Sequence, residues 1–185
     1  MQKLDKPIEN EKIKVTDKVL DKAVIEENKK KTTVRKNKLP VILEPEEVQN
    51  LLKQPSKRYP TGLRNKAIMS IMLHCGLRLS EIVNLKPGNI NLTKGKLRVE
   101  SGKGKKDRDL AIPDYLNDLL DSWRSIRPKS NFFFSTLKGR KLSDRYIQQM
   151  VKRYAKKASI TKKISPHVLR HYVECYIMVS EAIKA

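Results

Sequence analysis

From Leu39 onward the apolar positions recur with periods that mark short, well-separated elements. Val48, Leu51 and Leu52 fall on one side of a helix predicted at Pro45 to Lys53. Leu63, Ala67, Ile68, Ile71, Met72 and Cys75 repeat at helical spacing and predict a second helix from Thr61 to Cys75, with Thr61 as its cap and Gly76 as its stop. A short third helix follows Arg78, with Ser80 placed to cap it. The period then changes to two: Leu97 and Val99 alternate with Lys96, Arg98 and Glu100. That alternation predicts strands at Asn89 to Leu92, Lys96 to Glu100 and Arg108 to Ile112, turning at Lys94-Gly95 and Gly102-Lys103-Gly104. Helices return at Asp114 to Ile126 and Ser143 to Ser159, with Phe132-Phe133-Phe134 between them as a buried extended segment. The implied fold class is α+β, mainly helical, with a small three-stranded antiparallel sheet buried on one face.

Residues 1 to 38 read differently. Lys, Glu, Asp and Asn dominate them, and they end in Lys29-Lys30-Lys31 and Arg35-Lys36-Asn37-Lys38, the composition of a basic, disordered arm or linker. Val15, Val19, Leu20, Ala23 and Val24 approximate a helical stripe, but one short helix alone is marginal. The expected division is an arm over 1–38 and a folded domain over 39–185.

Charge narrows the class of partner. The 185 residues hold 41 Lys plus Arg against 20 Asp plus Glu, a formal net charge of +21. The arm contributes 12 basic and 7 acidic side chains, so the excess belongs mainly to the folded part. Such a balance points to a polyanion, with duplex nucleic acid first, and argues against a small-molecule enzyme. It identifies no activity, since a basic RNA-binding protein has the same excess. Cys75 and Cys175 are a hundred residues apart, which gives neither a disulfide framework nor metal-ligand spacing. With no charged-then-apolar leader and no apolar run of membrane-spanning length, a cytoplasmic protein away from membranes is expected.

Three segments carry chemistry. In Ser165-Pro166-His167-Val168-Leu169-Arg170-His171, Ser165 suits an N-cap and Pro166 the first helical position. His167 and Arg170 then share one face of the first turn, where the partial positive charge and free N–H groups of a helix N-terminus already favour an anion. The plainer reading leaves both side chains on a solvated turn. Arg78 lies between two helices as a fixed charge, though an arginine there also suits the carbonyls ending the preceding helix. Lys103 sits between glycines at the tip of a hairpin that ends in Lys105, Lys106 and Arg108, a shape that lets a lysine approach a ligand or simply touch a phosphate backbone.

Taken in order, Cys75-Gly76-Leu77-Arg78-Leu79-Ser80-Glu81, the Gly102-Lys103-Gly104 hairpin and the Ser165 to His171 motif resemble the catalytic domain of the tyrosine recombinases, the phage-integrase and Xer-like family. The resemblance runs from Leu39 to His171, and the entry Leu39 to Val48 resembles the family's as well, with Glu44 where a threonine cap is more usual. It implies a DNA-binding, site-specific recombinase or integrase that breaks and rejoins strands through a phosphotyrosine link, without metal or other cofactor. By that resemblance Arg78 and Arg170 clamp the nonbridging phosphate oxygens. Lys103 protonates the leaving 5′-oxygen, and His167 assists proton transfer at the nucleophile. Fixed cations neutralise the charge that builds on the pentacoordinate phosphorus. Lys105, Lys106, Arg108 and His171 are the accompanying DNA-contact candidates.

The same comparison marks departures. After His171 the family pattern fades, and Tyr172 and Tyr176 stand only two and six residues beyond Arg170, too close on one helix for the family's attacking tyrosine. The nucleophile is therefore not identifiable, and the expectation is a truncated catalytic domain, inactive by itself. The partner is double-stranded DNA, with a homo-oligomer on DNA or another protein supplying the tyrosine in trans, as the yeast flippase subgroup does. The alternative is a non-catalytic duplex DNA-binding module.

Overall fold

The longest helical pattern forms the most deeply buried helix among the described residues. The computed structural model describes residues 41–100 and 107–173, so the arm, the turn carrying Lys103, Lys105 and Lys106, and Cys175 and Tyr176 lie outside the described residues. Helix α1 spans Pro45–Lys53 and α2 spans Pro60–Cys75. The sequence pattern predicts one apolar face for α2, yet Met69 and Leu73 are buried with the expected stripe, and so are Arg64, Asn65 and Ser70. A helix enclosed on all sides has no solvent face to reserve for polar residues.

Two predicted caps differ. Helix α2 is capped by Tyr59, not Thr61, because Pro60 takes the first helical position, where its fixed φ and missing N–H cost nothing. The third helix, α3 at Leu79–Asn84, is capped by Arg78 rather than Ser80. The carboxylate of Glu81 accepts the Arg78 backbone N–H at 2.8 Å and sets the helix start one turn ahead of itself. Gly76 ends α2 at φ 64°, the left-handed conformation that favours glycine.

A 3₁₀ turn at Pro87–Asn89 leads into β1 (Ile90–Asn91), β2 (Lys96–Val99) and β3 (Arg108–Ala111). The sheet is antiparallel in the order β1-β2-β3, with Leu97 opposite Leu110 and Val99 opposite Arg108. Leu97 and Val99 turn into the core while Lys96 and Arg98 face out, the alternation read from the sequence. A second 3₁₀ turn, Asp114–Leu116, precedes α4 (Asn117–Ile126), and α5 covers Asp144–Lys157. Ser143 caps α5 by accepting the Tyr146 N–H at 3.1 Å. The final helix, α6, begins at residue 166 and is described to residue 173.

In the Phe132-Phe133-Phe134 segment Phe133 and Phe134 are buried and Phe132 half-buried, and the backbone is satisfied without a sheet. Phe133 N–H donates to the Leu85 carbonyl at 2.6 Å, and Trp123 Nε1–H donates to the Phe133 carbonyl at 3.0 Å. Arg127 donates to the carbonyls of Ser130 and Phe132 at 2.8 and 3.1 Å. Trp123, Phe133 and Phe134 can therefore fill the centre of the core. At the far edge Lys162 holds α1 against the chain before α6, donating to the Ile42 carbonyl at 3.0 Å and to Glu47 at 2.7 Å.

Arg64 is a buried cation with neutral partners. Its Nε and one terminal nitrogen donate to Asn65 Oδ1 at 3.3 and 3.2 Å, the other to the Ser135 carbonyl at 2.8 Å, and Tyr146 Oη closes the group. No carboxylate pairs with Arg64 among the described residues. A carboxylate in place of Asn65 would supply the missing charge in the same shape, with the Tyr154 hydroxyl turning to donate.

Asn65→Asp is expected to raise stability by about 1 kcal/mol, the difference between a neutral and a charge-assisted hydrogen bond. The gain is present at neutral pH and lost in acid as the paired carboxylate protonates; urea unfolding at both pH values checks it. Gly62→Ala is expected to act in the opposite direction. A Cβ at that position would lie 2.0 Å from the Ser56 carbonyl oxygen, a backbone atom with little freedom to move. A loss of about 2 kcal/mol or more by the same measurement is anticipated.

Candidate functional site

The local sequence that starts α6 also aims it. Ser165 accepts the Leu169 N–H through its carbonyl at 3.2 Å and the Val168 N–H through its hydroxyl at 3.5 Å, and Pro166 occupies the first turn. Leu169 is buried in the core, which turns His167 to the opposite, exposed side of the helix and leaves the half-buried Arg170 on the flank beside it, about a quarter turn from Leu169. Arg170 NH1 then reaches the Gly76 carbonyl at 2.8 Å, across 94 residues of sequence. The end of α2 is thus satisfied by Arg170, the duty for which Arg78 is the sequence-level candidate. Arg78 turns elsewhere: its NH1 donates to Glu81 Oε1 at 3.1 Å, and its side chain stays 51% exposed.

These placements bring Arg78, His167 and Arg170 to the wall of one cleft of about 710 Å³. Leu77 and Leu79 give the cleft an aliphatic floor, while Ser80, Ser165 and Pro166 complete the near side. Asp144, Gln148 and Lys152 project into it from α5 at four-residue intervals, and Lys163 from the chain leading to α6. Lys152 and Lys163 were not singled out by sequence reasoning. The four-residue repeat of Asp144, Gln148 and Lys152 was readable in the sequence, but not which neighbour that face meets. With four such cations and one carboxylate, the lining favours an anion.

His171 lies one turn beyond His167, and the two Nε2 atoms are hydrogen-bonded at 2.9 Å with the rings edge to face. One ring must donate while the other accepts. Arg108 meets Glu81 through two parallel bonds, NH1 to Oε1 at 2.9 Å and NH2 to Oε2 at 2.8 Å. Lys103, Lys105 and Lys106 fall outside the described residues. Tyr172 is half-buried and packs against the core. Among the described residues no three His, Cys, Asp or Glu side chains converge as a metal site, and no helix is long and apolar enough to cross a membrane.

Burial raises the proton affinity of the Glu81 carboxyl, but hydrogen bonds from Arg108 and the Arg78 backbone outweigh it and hold the group below the usual carboxylate range. Cys75, buried at the end of α2, is pushed up to about 12 by desolvation, so its thiol stays protonated and inert at neutral pH.

Known proteins share this arrangement of elements. The profile of the phage integrase family matches residues 42–183. Tyrosine recombinase XerD of Staphylococcus saprophyticus is 33% identical over 152 residues, covering 78% of this chain and 51% of the relative. Tyrosine recombinase XerC of Histophilus somni is 36% identical over 137 residues, covering 72% of this chain and 46% of that protein. Among solved structures, the XerA recombinase superposes with a TM-score of 0.69 at 29% identity, over 75% of this chain and 50% of that one. The chain spans about half the length of the curated relatives it matches. It belongs to the phage integrase family, with the fold of a tyrosine recombinase catalytic domain.

A pH prediction follows from Glu81. Because its folded-state pKa is depressed, its contribution to stability is complete above the unfolded carboxylate range and disappears as pH falls through the lowered value. Glu81→Gln should therefore be less stable than wild type at pH 7, with the gap narrowing steadily in acid; chemical denaturation across pH 3 to 7 reads the difference. A gap independent of pH would contradict the ion-pair account.

Proposed function

We propose that this chain carries the phosphate-binding and proton-transferring apparatus of DNA strand breakage and rejoining in site-specific recombination. The observation that supports it most is the convergence of Arg78, His167 and Arg170, from segments far apart in sequence, on one cationic cleft. A scissile phosphodiester seated there has its nonbridging oxygens between the two guanidinium groups. As the phosphorus becomes pentacoordinate, the added negative charge develops between cations already in place. His167, hydrogen-bonded to His171, holds a ring nitrogen beside that position for proton transfer to or from the nucleophile. Lys103, five residues before Arg108, is assigned protonation of the leaving 5′-oxygen. Energy is kept in the phosphotyrosine bond, so the broken strand can be rejoined.

In this reading the domain covers residues 39–185 and residues 1–38 form a basic arm. Lys105, Lys106 and His171 assist duplex binding. Double-stranded DNA is the partner, in keeping with the XerH recombinase, 28% identical with a TM-score of 0.63 over 74% of this chain and 42% of that one, which was solved bound to its difH substrate after cleavage. The site of action is the cytoplasm, the chain acts as a homo-oligomer on DNA or beside a partner, and the attacking tyrosine is assigned to another protein. Tyr172 is a poor candidate for attack, being packed against the core on the helix that carries Arg170.

Incubation of the purified chain with nicked suicide duplexes, at several salt concentrations, tests the proposal. Duplex affinity is expected to fall linearly on a log–log plot against salt and to weaken in Arg170→Ala. A covalent adduct on a denaturing gel is expected only when a tyrosine-bearing partner is added. An adduct from the chain alone, lost in Tyr172→Phe, would move the nucleophile into this helix; absence of any salt-dependent duplex binding would sink the proposal.

A further inference from the structure

Glu81 is the most fully committed carboxylate on the cleft side of the molecule, and what commits it is Arg108. A carboxylate has about four lone-pair positions. Here Oε1 accepts from Arg78 NH1 at 3.1 Å and Arg108 NH1 at 2.9 Å, while Oε2 accepts from the Arg78 backbone N–H and Arg108 NH2, both at 2.8 Å. All four positions are filled. The Glu81 side chain is 11% exposed and that of Arg108 33%, against 51% for Arg78. Among the described residues Arg78 Nε and NH2 have no hydrogen-bond partner, and the guanidinium lines the cleft.

We infer that Arg108 is a positioning residue that keeps Arg78 available to a phosphate by occupying the Glu81 oxygens that would otherwise capture it. Arg78 and Glu81 are three residues apart around the start of α3, close enough for a two-bond fork. Remove Arg108 and two lone pairs open beside the Arg78 side chain, in a setting where an unpaired carboxylate is costly. The nearest donor is the second nitrogen of Arg78. Arg78 would then turn from the cleft into the protein, and a phosphate there would have to compete with an internal carboxylate. Arg108 sits at the root of the hairpin, opposite Val99, where strand pairing fixes its backbone and hence the direction of its fork. The inference assigns Arg108 to Arg78 rather than to direct contact with DNA. It rests on the proposed function only for the identity of the anion.

The test is a two-by-two set of variants of the full chain, Glu81→Gln, Arg108→Met and the double variant, with Arg108→Lys as a milder control. Dicarbonyl modification of Arg78, followed by peptide mass spectrometry, reads the exposed guanidinium without DNA. Arg108→Met is expected to slow Arg78 modification by about tenfold, the order that one charge-assisted hydrogen bond is worth. Arg108→Lys, which offers a single ammonium in place of the fork, should fall between. The double variant should return to the wild-type rate, because a neutral amide no longer attracts Arg78. Duplex binding should follow the same pattern, weakened in Arg108→Met and restored in the double variant. An affinity loss that persists in the Glu81→Gln background, with Arg78 reactivity unchanged, overturns the inference and makes Arg108 a direct DNA contact. If reactivity follows the pattern but wild type binds no duplex, the positioning stands and the proposed function fails.

Discussion

The carbonyl of Gly76 accepting the Arg170 guanidinium is the contact on which the geometry of the cleft depends. A helix end leaves carbonyls without partners, and α2 ends at a part-buried position. Gly76 adopts the left-handed conformation there and leaves its carbonyl exposed to the next element. Arg170 meets that need and in doing so fixes α6 relative to α2, bringing His167 to the same wall as Arg78. One charged side chain thus satisfies a part-buried backbone group and sets the position of the motif it belongs to. A Cβ placed on Gly76 would lie 3.9 Å from Val173, one turn beyond Arg170, so α6 also runs beside the glycine there.

The cations converging on the cleft repel one another in the absence of an anion. The structure limits that cost by giving each an internal or solvent partner: Arg170 has a carbonyl, Arg78 a carboxylate, and Lys152 and Lys163 are exposed to water. The cluster is already assembled, so the proposed binding of a phosphate would require little rearrangement of the groups around it. The same economy appears at Arg64, where a guanidinium with no carboxylate partner among the described residues is held in the core by a carbonyl, an amide and a phenol.

Most elements were legible because their periods are unmixed. Val48 and Leu51 mark α1, and Leu97 and Val99 mark β2, with bounds close to those observed. The capping residues were less legible, since Tyr59 and Arg78 cap by backbone conformation and have no side-chain cap bond of their own. The buried polar group on α2 was hidden because nothing local reveals that a helix will be enclosed on every side. Arg78, His167 and Arg170 were legible as a set through their motifs, whereas Lys152 and Lys163 were not, since a lysine on a polar helix face looks the same whether it meets solvent or a cleft. The link from Arg108 to Glu81 spans 27 residues and two types of element, so no spacing rule points to it.

The Lys162 staple bears on the order in which the chain acquires its structure. Lys162 bonds the Ile42 carbonyl, 120 positions earlier and just before α1, and Glu47 within α1, 115 positions earlier. Helix α1 leaves the ribosome well before Lys162, and it cannot make these contacts until 115 further residues have followed Glu47. Its nine residues are too few for a stable helix in isolation. The loop that must close is long, and its entropic cost precedes the contact that offsets it. Until Lys162 has been made, α1 therefore lacks the bonds that hold it to the chain before α6, a window in which a chaperone or a neighbouring nascent chain can meet its apolar side first.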